Sequence, residues 1–247
     1  MADKIEGRNP VLEALNSGKQ INKILVSKGN RKGPINKIIN MARNLGIPVV
    51  EVANQKLDSI SESHNHQGVI AFVPPYNYIE LKDILNRAFS SNRTPLLIVL
   101  DKVKDPHNLG SIIRTAEVAG AHGVIIPKRR SAGITTTVVK TSAGAVEYLP
   151  VARVSNIVQT LEILKKEGFW IVGADMSGEP VYRVNLKGPM TLVIGSEGEG
   201  LSRLVKEKCD YLASLPVKGK ISSLNAAVAA AIMIYETIRQ NYYSGKD

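Results

Sequence analysis

The sequence predicts an α/β protein in two units: a small α/β unit at the front and, behind it, a parallel sheet covered on both faces. Three observations predict this. Short apolar segments alternate with helix-period segments along the chain. Pro74-Pro75-Tyr76 interrupts that alternation, because consecutive prolines cannot continue a sheet ladder. Behind the break, apolar strands such as Leu96-Leu-Ile-Val-Leu100 alternate with helices, the pattern of a parallel sheet buried on both sides.

In the front unit, residues 5–17 read as a short helix. Asn9-Pro10 starts it, and Val11, Leu12 and Leu15 form its apolar stripe. Ile21 to Val26 is a strand. Gly33-Pro34 breaks the chain ahead of an amphipathic helix from Ile35 to Leu45, which Gly46 stops. A strand (47–52), a short helix (55–61) and a strand (69–73) complete residues 1–76. Residues 77–94, with a helix over 81–89 and the polar Ser90-Ser-Asn-Arg-Thr94, read as a linker region.

The rear unit, residues 95–247, opens with the 96–100 strand and a helix over 108–119. Strands follow at 124–126, near 151, and at 170–174, 192–194 and 211–215. Helices are expected at 137–143, 157–166, 201–206 and, last, 223–241.

With 247 residues, 44% of them hydrophobic, the chain has material for a packed core. The longest apolar run, Ala226 to Tyr235, is too short for a membrane span. The first residues show no signal-peptide pattern, so a cytoplasmic location is expected. The single cysteine, Cys209, excludes an intrachain disulfide and a multi-thiolate metal site, and reads as a buried small hydrophobe. His64 and His66 lack a third ligand, so no metal is expected. The net charge of +10 suits a polyanion such as nucleic acid. It is shared by the two units. Residues 1–76 hold 10 basic and 6 acidic side chains, a net of +4, and residues 95–247 hold 19 and 14, a net of +5.

Three polar clusters sit beside apolar segments of the rear unit: Asn108-Leu-Gly-Ser-Ile-Ile-Arg114, Gly195-Ser-Glu-Gly-Glu-Gly200 and Ser222-Ser-Leu-Asn225. Each follows a strand, and in open parallel sheets ligands bind beyond the carboxyl ends of the strands. The glycine-rich cluster permits close backbone approach. It lacks the Gly-Lys-Ser/Thr of a P-loop, which disfavours a nucleoside triphosphate. An acid among glycines at a strand exit, as at Glu197, often makes a specific hydrogen bond. Asn108 serves either as a helix cap or as a site residue. Arg114, in a helix otherwise of Ile, Thr and Ala, either snorkels or aims its fork at a phosphate. Ser222 and Ser223 cap the last helix or offer its N-terminus to an anion. Lys128-Arg129-Arg130, directly after a strand, is either a solvated charge run or a set of cations for RNA phosphates. His107 is a loop or capping residue or an acid–base group.

Taken together, these segments resemble the SpoU (TrmH-type) RNA 2′-O-ribose methyltransferases of the SPOUT superfamily. Residues 105–116, 192–201 and 215–229 look like the three family motifs, in family order. Gly7-Arg8-Asn9-Pro-Val and His66-Gln-Gly-Val-Ile resemble parts of the N-terminal substrate-binding domain of the subgroup that methylates a guanosine in 23S rRNA, a domain with a ribosomal-protein-like α/β fold.

The resemblance implies a parallel sheet with a deep C-terminal trefoil knot, a homodimer with its site at the subunit interface, S-adenosylmethionine as methyl donor, and no metal. It places Arg114, Asn108, Glu197, Ser223 and Asn225 in catalysis. Gly195, Ser196, Gly198, Leu215 and Leu224 would contact the donor, with Thr141 nearby. Arg8, Asn9, His66, Lys128, Arg129 and Arg130 would hold RNA. Two competing expectations stand beside it: a tRNA-directed enzyme, and a non-catalytic RNA-binding ribosome assembly factor with the same fold.

Overall fold

The computed structural model describes residues 3–29, 33–61, 65–221 and 223–243. The chain divides into two compact units, Met1–Asn77 and Tyr78–Asp247.

The first unit runs β1 (Asp3–Glu6), α1 (Arg8–Asn16), β2 (Lys23–Ser27), α2 (Pro34–Asn44), β3 (Val49–Val52), α3 (Asn54–Ile60) and β4 (Val69–Val73). Its sheet has the order β1-β4-β2-β3, with β2 and β3 parallel and β4 antiparallel to both neighbours. The helix expected over 5–17 begins later, at Arg8. Lys4 and Ile5 pair with Phe72 and Ala71 at the sheet edge, and Gly7, at φ 97°, turns the chain from strand to helix. A strand as short as β1 has too few residues to show a period of its own, so only pairing defines it. Ile24, Val11, Ile35, Ile38 and Val69 are fully buried in the core of this unit.

The second unit runs α4 (Leu81–Ser90), β5 (Leu96–Asp101), α5 (Pro106–Val118), β6 (Gly123–Pro127), α6 (Thr136–Thr141), β7 (Val151–Val154), α7 (Ile157–Lys166), β8 (Trp170–Pro180), β9 (Met190–Gly195), α8 (Arg203–Lys208), β10 (Tyr211–Ser214) and α9 (Ala226–Ile238). A π-helical turn, Arg239–Tyr243, extends α9. Its six strands are all parallel, in the order β10-β8-β9-β5-β6-β7. One face of the sheet presents Leu97, Val99, Ile125, Ile171 and Val193 to α4, α7 and α8, through Ile84, Leu161, Leu164 and Val205. The alternate residues Ile98, Leu100, Val124, Ile126 and Leu192 are fully buried as well. Helices α5 and α9 pack on each other and against β6, β8 and β9. Burial on both faces is why these strands are apolar throughout.

Helix α4 lies in the stretch expected to link the units, yet it belongs to the second one. Ile84, Leu85 and Ala88 are buried in its core, and Ile84 lies so close to β6 that a Cβ on Gly123 would meet it at 2.7 Å. The amphipathic period of 81–90 has its apolar stripe covered by the sheet, so this segment is core and not tether.

Two features position the site. The strand order reverses between β5 and β9, whose last residues, Asp101 and Gly195, pair with one another. Such a reversal opens a crevice at the strand ends. Strand β8 runs past its expected end at 174 to Pro180, with a register jump against β10 between Leu212 and Ala213.

Candidate active site at the strand exits

Three strand exits meet in a hydrogen-bonded cluster. Asn108, in the first turn of α5 and 6% exposed, donates from Nδ2 to Glu197 Oε1 at 2.7 Å. Asn225 donates from its own Nδ2 to Asn108 Oδ1 at 2.9 Å and to Glu197 Oε1. The Ala226 N–H also donates to Glu197 Oε1, at 3.4 Å. Glu197 Oε2 has no hydrogen-bond partner among the described residues. One carboxylate oxygen thus gathers residues 89 and 28 positions away, and the other stays open.

Local structure explains each placement. Asp105, not Asn108, caps α5, accepting from the His107 N–H at 3.0 Å, which frees Asn108 for the interior. Asn225 caps α9: its Oδ1 accepts from the N–H groups of Ala227 and Val228 at 2.9 and 3.2 Å. The last helix therefore starts three residues later than the sequence suggested. Ser223 is exposed ahead of the cap, and Ser222 lies outside the described residues. Glu197 faces the N-terminus of α9, where the helix dipole favours an anion.

The glycine-rich segment folds back on itself. Ser196 and Gly200 exchange both backbone hydrogen bonds, at 3.2 and 3.0 Å. A Cβ on Gly195 would lie 2.3 Å from the Gly200 carbonyl carbon, and Gly198 and Gly200 take φ of 83° and 63°. These three glycines serve close approach and left-handed backbone. Asp101, buried at the end of β5, accepts from the Ser202 N–H at 2.7 Å and ties the segment to the neighbouring strand.

Beside the cluster lies a cleft of about 400 Å³, within the range of small-molecule sites, ~300–1,000 Å³. Gly195, Ser196, Glu197, Gly198, Leu215, Ser223 and Leu224, all singled out from the sequence, line it. Ile194, Ala213 and Val217 add apolar wall. Asp175, Met176 and Lys206 also line it and were missed by the sequence reading. The signal for the first two was the segment Asp175-Met-Ser-Gly178 after the apolar 170–174 strand, a fourth strand exit that carries no glycine-rich or Asn-rich cluster; Lys206, on α8, had none. Asp175 pairs with Lys206 at 2.6 Å. Burial works to raise its carboxyl pKa, but hydrogen bonds from Lys206 and Ser177 hold it below the ordinary value.

Other expected site residues lie elsewhere. Arg114 is exposed, does not line the cleft and has no hydrogen bond or ion pair among the described residues. Thr141 is also outside the cleft. It packs against α5, where a Cβ on Gly110 would meet its Cβ at 2.7 Å. Lys128, Arg129 and Arg130 are exposed at the β6 exit, with Arg130 at φ 59°. In the first unit, Asn9 is exposed. Arg8 closes on Gln67: its N–H meets Gln67 Oε1 at 3.2 Å, and its Nε donates to the Gln67 carbonyl at 3.0 Å. His66 departs from its expected RNA contact. It is 7% exposed, its Nδ1 accepts from the Gly68 N–H at 3.0 Å, and its Nε2 meets Asp58 at 2.8 Å. With both ring nitrogens committed inside the fold, it has nothing left to offer a ligand. Cys209 is half-buried against the core, and burial pushes its thiol up to about 12. Among the described residues, no group of three or more His, Cys, Asp or Glu is placed to hold a metal, and no helix is long and apolar enough to cross a membrane.

Residues 95–235 match the SpoU rRNA methylase family, and residues 4–79 match the RNA 2′-O ribose methyltransferase substrate-binding domain. The chain belongs to the SpoU methylase family. A Bacillus subtilis protein named for the TrmH family of tRNA/rRNA methyltransferases is 48% identical over 240 residues, 96% of each chain. The SpoU methyltransferase AviRb of Streptomyces viridochromogenes, solved with AdoMet, is 28% identical with a TM-score of 0.71, over 98% of this chain and 91% of that one. An AdoMet-bound rRNA methyltransferase of Sinorhizobium meliloti is 27% identical with a TM-score of 0.69, over 96% and 87%. This SpoU protein is thus an AdoMet-dependent RNA methyltransferase, and ribose 2′-O-methylation is the activity of its family. Its cleft fits that donor. The walls are apolar, and the lining carries three acids, Asp175, Glu197 and Glu199, against one cation, Lys206. An excess of negative charge complements a sulfonium.

Proposed function

We propose that this SpoU protein methylates the ribose 2′-hydroxyl of a guanosine in 23S rRNA, acting as a cytoplasmic homodimer. The observation that carries the assignment of the reaction centre is the convergence of Asn108 and Asn225 on one oxygen of Glu197 beside the cleft. The choice of rRNA is supported by the match of the front unit to a substrate-binding domain and by the whole-chain likeness to an rRNA methyltransferase.

When bound, the donor supplies a methyl group on a positively charged sulfur. Gly195, Ser196, Gly198, Leu215 and Leu224 would hold it, and Thr141 would act through its packing on α5. Asn108, Glu197, Ser223 and Asn225 position the ribose and the residue that engages it. A 2′-hydroxyl is a weak nucleophile whose proton must leave as it attacks. A guanidinium holds its proton too tightly to be a good base. Arg114 is therefore assigned to the neighbouring phosphate, orienting the ribose so that alignment supplies much of the acceleration, and the 2′-hydroxyl proton passes to that phosphate or to water.

Because Arg114 is absent from the cleft of its own chain, it reaches the cleft of a partner copy. The surface around it supports this. Val118, one turn along α5, is 66% exposed, and on the adjoining α9 Val228 and Tyr235 are also exposed, an apolar face of the kind that closes a two-fold dimer. Arg8 and Asn9 in the front unit and Lys128, Arg129 and Arg130 at the β6 exit are the proposed RNA contacts. The deep trefoil knot belongs to the same reading.

The test is a map of 2′-O-methyl groups in total RNA from a strain lacking the gene. Loss of one mark in 23S rRNA is the expected result. Loss of a tRNA mark overturns the choice of substrate, and an unchanged map favours an assembly factor.

A further inference from the structure

Asp175 and Lys206 stand in the cleft wall with no part in the proposed reaction, and strand β8 is shaped to deliver the first of them. Its pairing with β10 passes from Gly173↔Leu212 to Glu179↔Ala213, so residues 174–178 leave the ladder. The excursion is anchored at Gly178, where a Cβ would lie 2.3 Å from the Leu212 backbone carbonyl. It carries a carboxylate into a place where its side chain is only 10% exposed. Asp175 Oδ1 accepts from the Ser177 N–H at 3.0 Å and from its hydroxyl at 2.6 Å. Oδ2 pairs with Lys206 Nζ and lies 3.9 Å from where a Cβ on Gly200 would be.

With Asp175 10% and Lys206 36% exposed, the pair is weak ground for stability, since solvent screens the lysine end. Its chemistry as a ligand surface is more specific. It sets a hydrogen-bond acceptor directly beside a donor, at the wall of a slot whose flanks, Ala174, Ala213, Leu215 and Val217, are apolar. Adenine presents the complementary arrangement along one edge: an exocyclic amine that donates, next to a ring nitrogen that accepts. We infer that the Asp175–Lys206 pair selects an adenine-bearing donor, with Asp175 accepting from the exocyclic amine and Lys206 donating to the adjacent ring nitrogen. The inference rests on the assignment of this cleft to AdoMet.

The probes are S-adenosylhomocysteine and its deaminated form, S-inosylhomocysteine, which carries an oxygen in place of the amine. Calorimetric titration of the full chain is expected to show a preference for the adenine form of roughly 10-fold, because the inosine form sets an oxygen against the buried Asp175 carboxylate while the part-exposed Lys206 keeps its solvent contacts. In Asp175→Ala and in Lys206→Met that preference should collapse to within about 3-fold, chiefly by weakening the adenine form. Lys206→Met carries the test alone if Asp175→Ala does not fold. Equal weakening of both ligands, the outcome of a purely structural tie between β8 and α8, overturns the inference, as does a wild-type chain that binds both alike. A wild-type chain that binds neither overturns instead the donor assignment beneath it.

Discussion

Two polar corners of this molecule are built alike and differ in one respect. At the first, Arg8 and Gln67, 59 positions apart, close on each other, and His66 joins Asp58 to the Gly68 backbone. At the second, Asn108, Glu197 and Asn225 meet across 89 and 28 positions. Both bring distant polar groups together. The His66 ring has spent its hydrogen-bonding capacity and is buried, whereas Glu197 keeps one oxygen open beside a cleft of about 400 Å³. Convergence of polar residues therefore does not by itself make a site. Leftover capacity facing a cavity does.

Substitutions sharpen that contrast. The largest effect falls at the open corner. Arg114→Ala and Glu197→Gln should each lower kcat on the order of 10²–10³-fold, the range for removal of a group that stabilises or aligns the transition state. Arg114→Ala should leave binding of S-adenosylhomocysteine within about 2-fold, since Arg114 is outside the cleft of its own chain. Mixed dimers of the two variants should regain activity, because half of their sites combine an intact Arg114 with an intact Glu197. Single-turnover assays on co-expressed chains check this, and mixed dimers as inactive as either parent would sink the reach across the interface.

At the closed corner the effect is on the fold. His66→Ala should destabilise the first unit by roughly 1–3 kcal/mol, the cost of leaving buried partners unpaired, with kcat unchanged at a temperature where the variant is folded. Denaturant melts beside kinetics separate the two quantities, and a kcat loss without a stability loss would return His66 to the RNA surface.

The smallest effect is a pH dependence away from both corners. His122 is buried. Burial and the nearby Arg93 guanidinium hold its pKa below 6.5, and its Nδ1 accepts from the Leu96 N–H at 3.1 Å. The unfolded chain thus binds more protons than the folded one just below pH 6.5. The contribution of His122 is present above 6.5 and declines as pH falls from there toward its lower folded value. Melts between pH 7.5 and 5.5 should show a downward slope that is smaller in His122→Gln, and an equal slope in both would remove His122 as the cause.

Much of this was legible without coordinates. The strands at 69–73 and 96–100 and the helix at 157–166 declare themselves, because period and apolar continuity are local properties of elements long enough to show them. Asn108, Glu197 and Asn225 stood out as polar residues in buryable surroundings, and they do meet. The glycines at 195, 198 and 200 were readable as a tight approach.

Tertiary structure decided the rest, and for one reason: it concerns what distant segments do to each other. Only pairing with Phe72 and Ala71 makes 3–6 a strand, and only the sheet face above it turns 81–90 from tether into core. Asp105 and Asn225 became the caps because the neighbouring candidates were drawn elsewhere or left exposed. His66 looked like a surface ligand until Asp58 and Gly68 claimed its nitrogens. Asp175 was marked only weakly, as a polar residue after an apolar strand, since its burial depends on a register jump between β8 and β10 that neither strand encodes alone. Periodicity is written along the chain, but who is left with an unpaired atom is settled only when the chain has closed on itself.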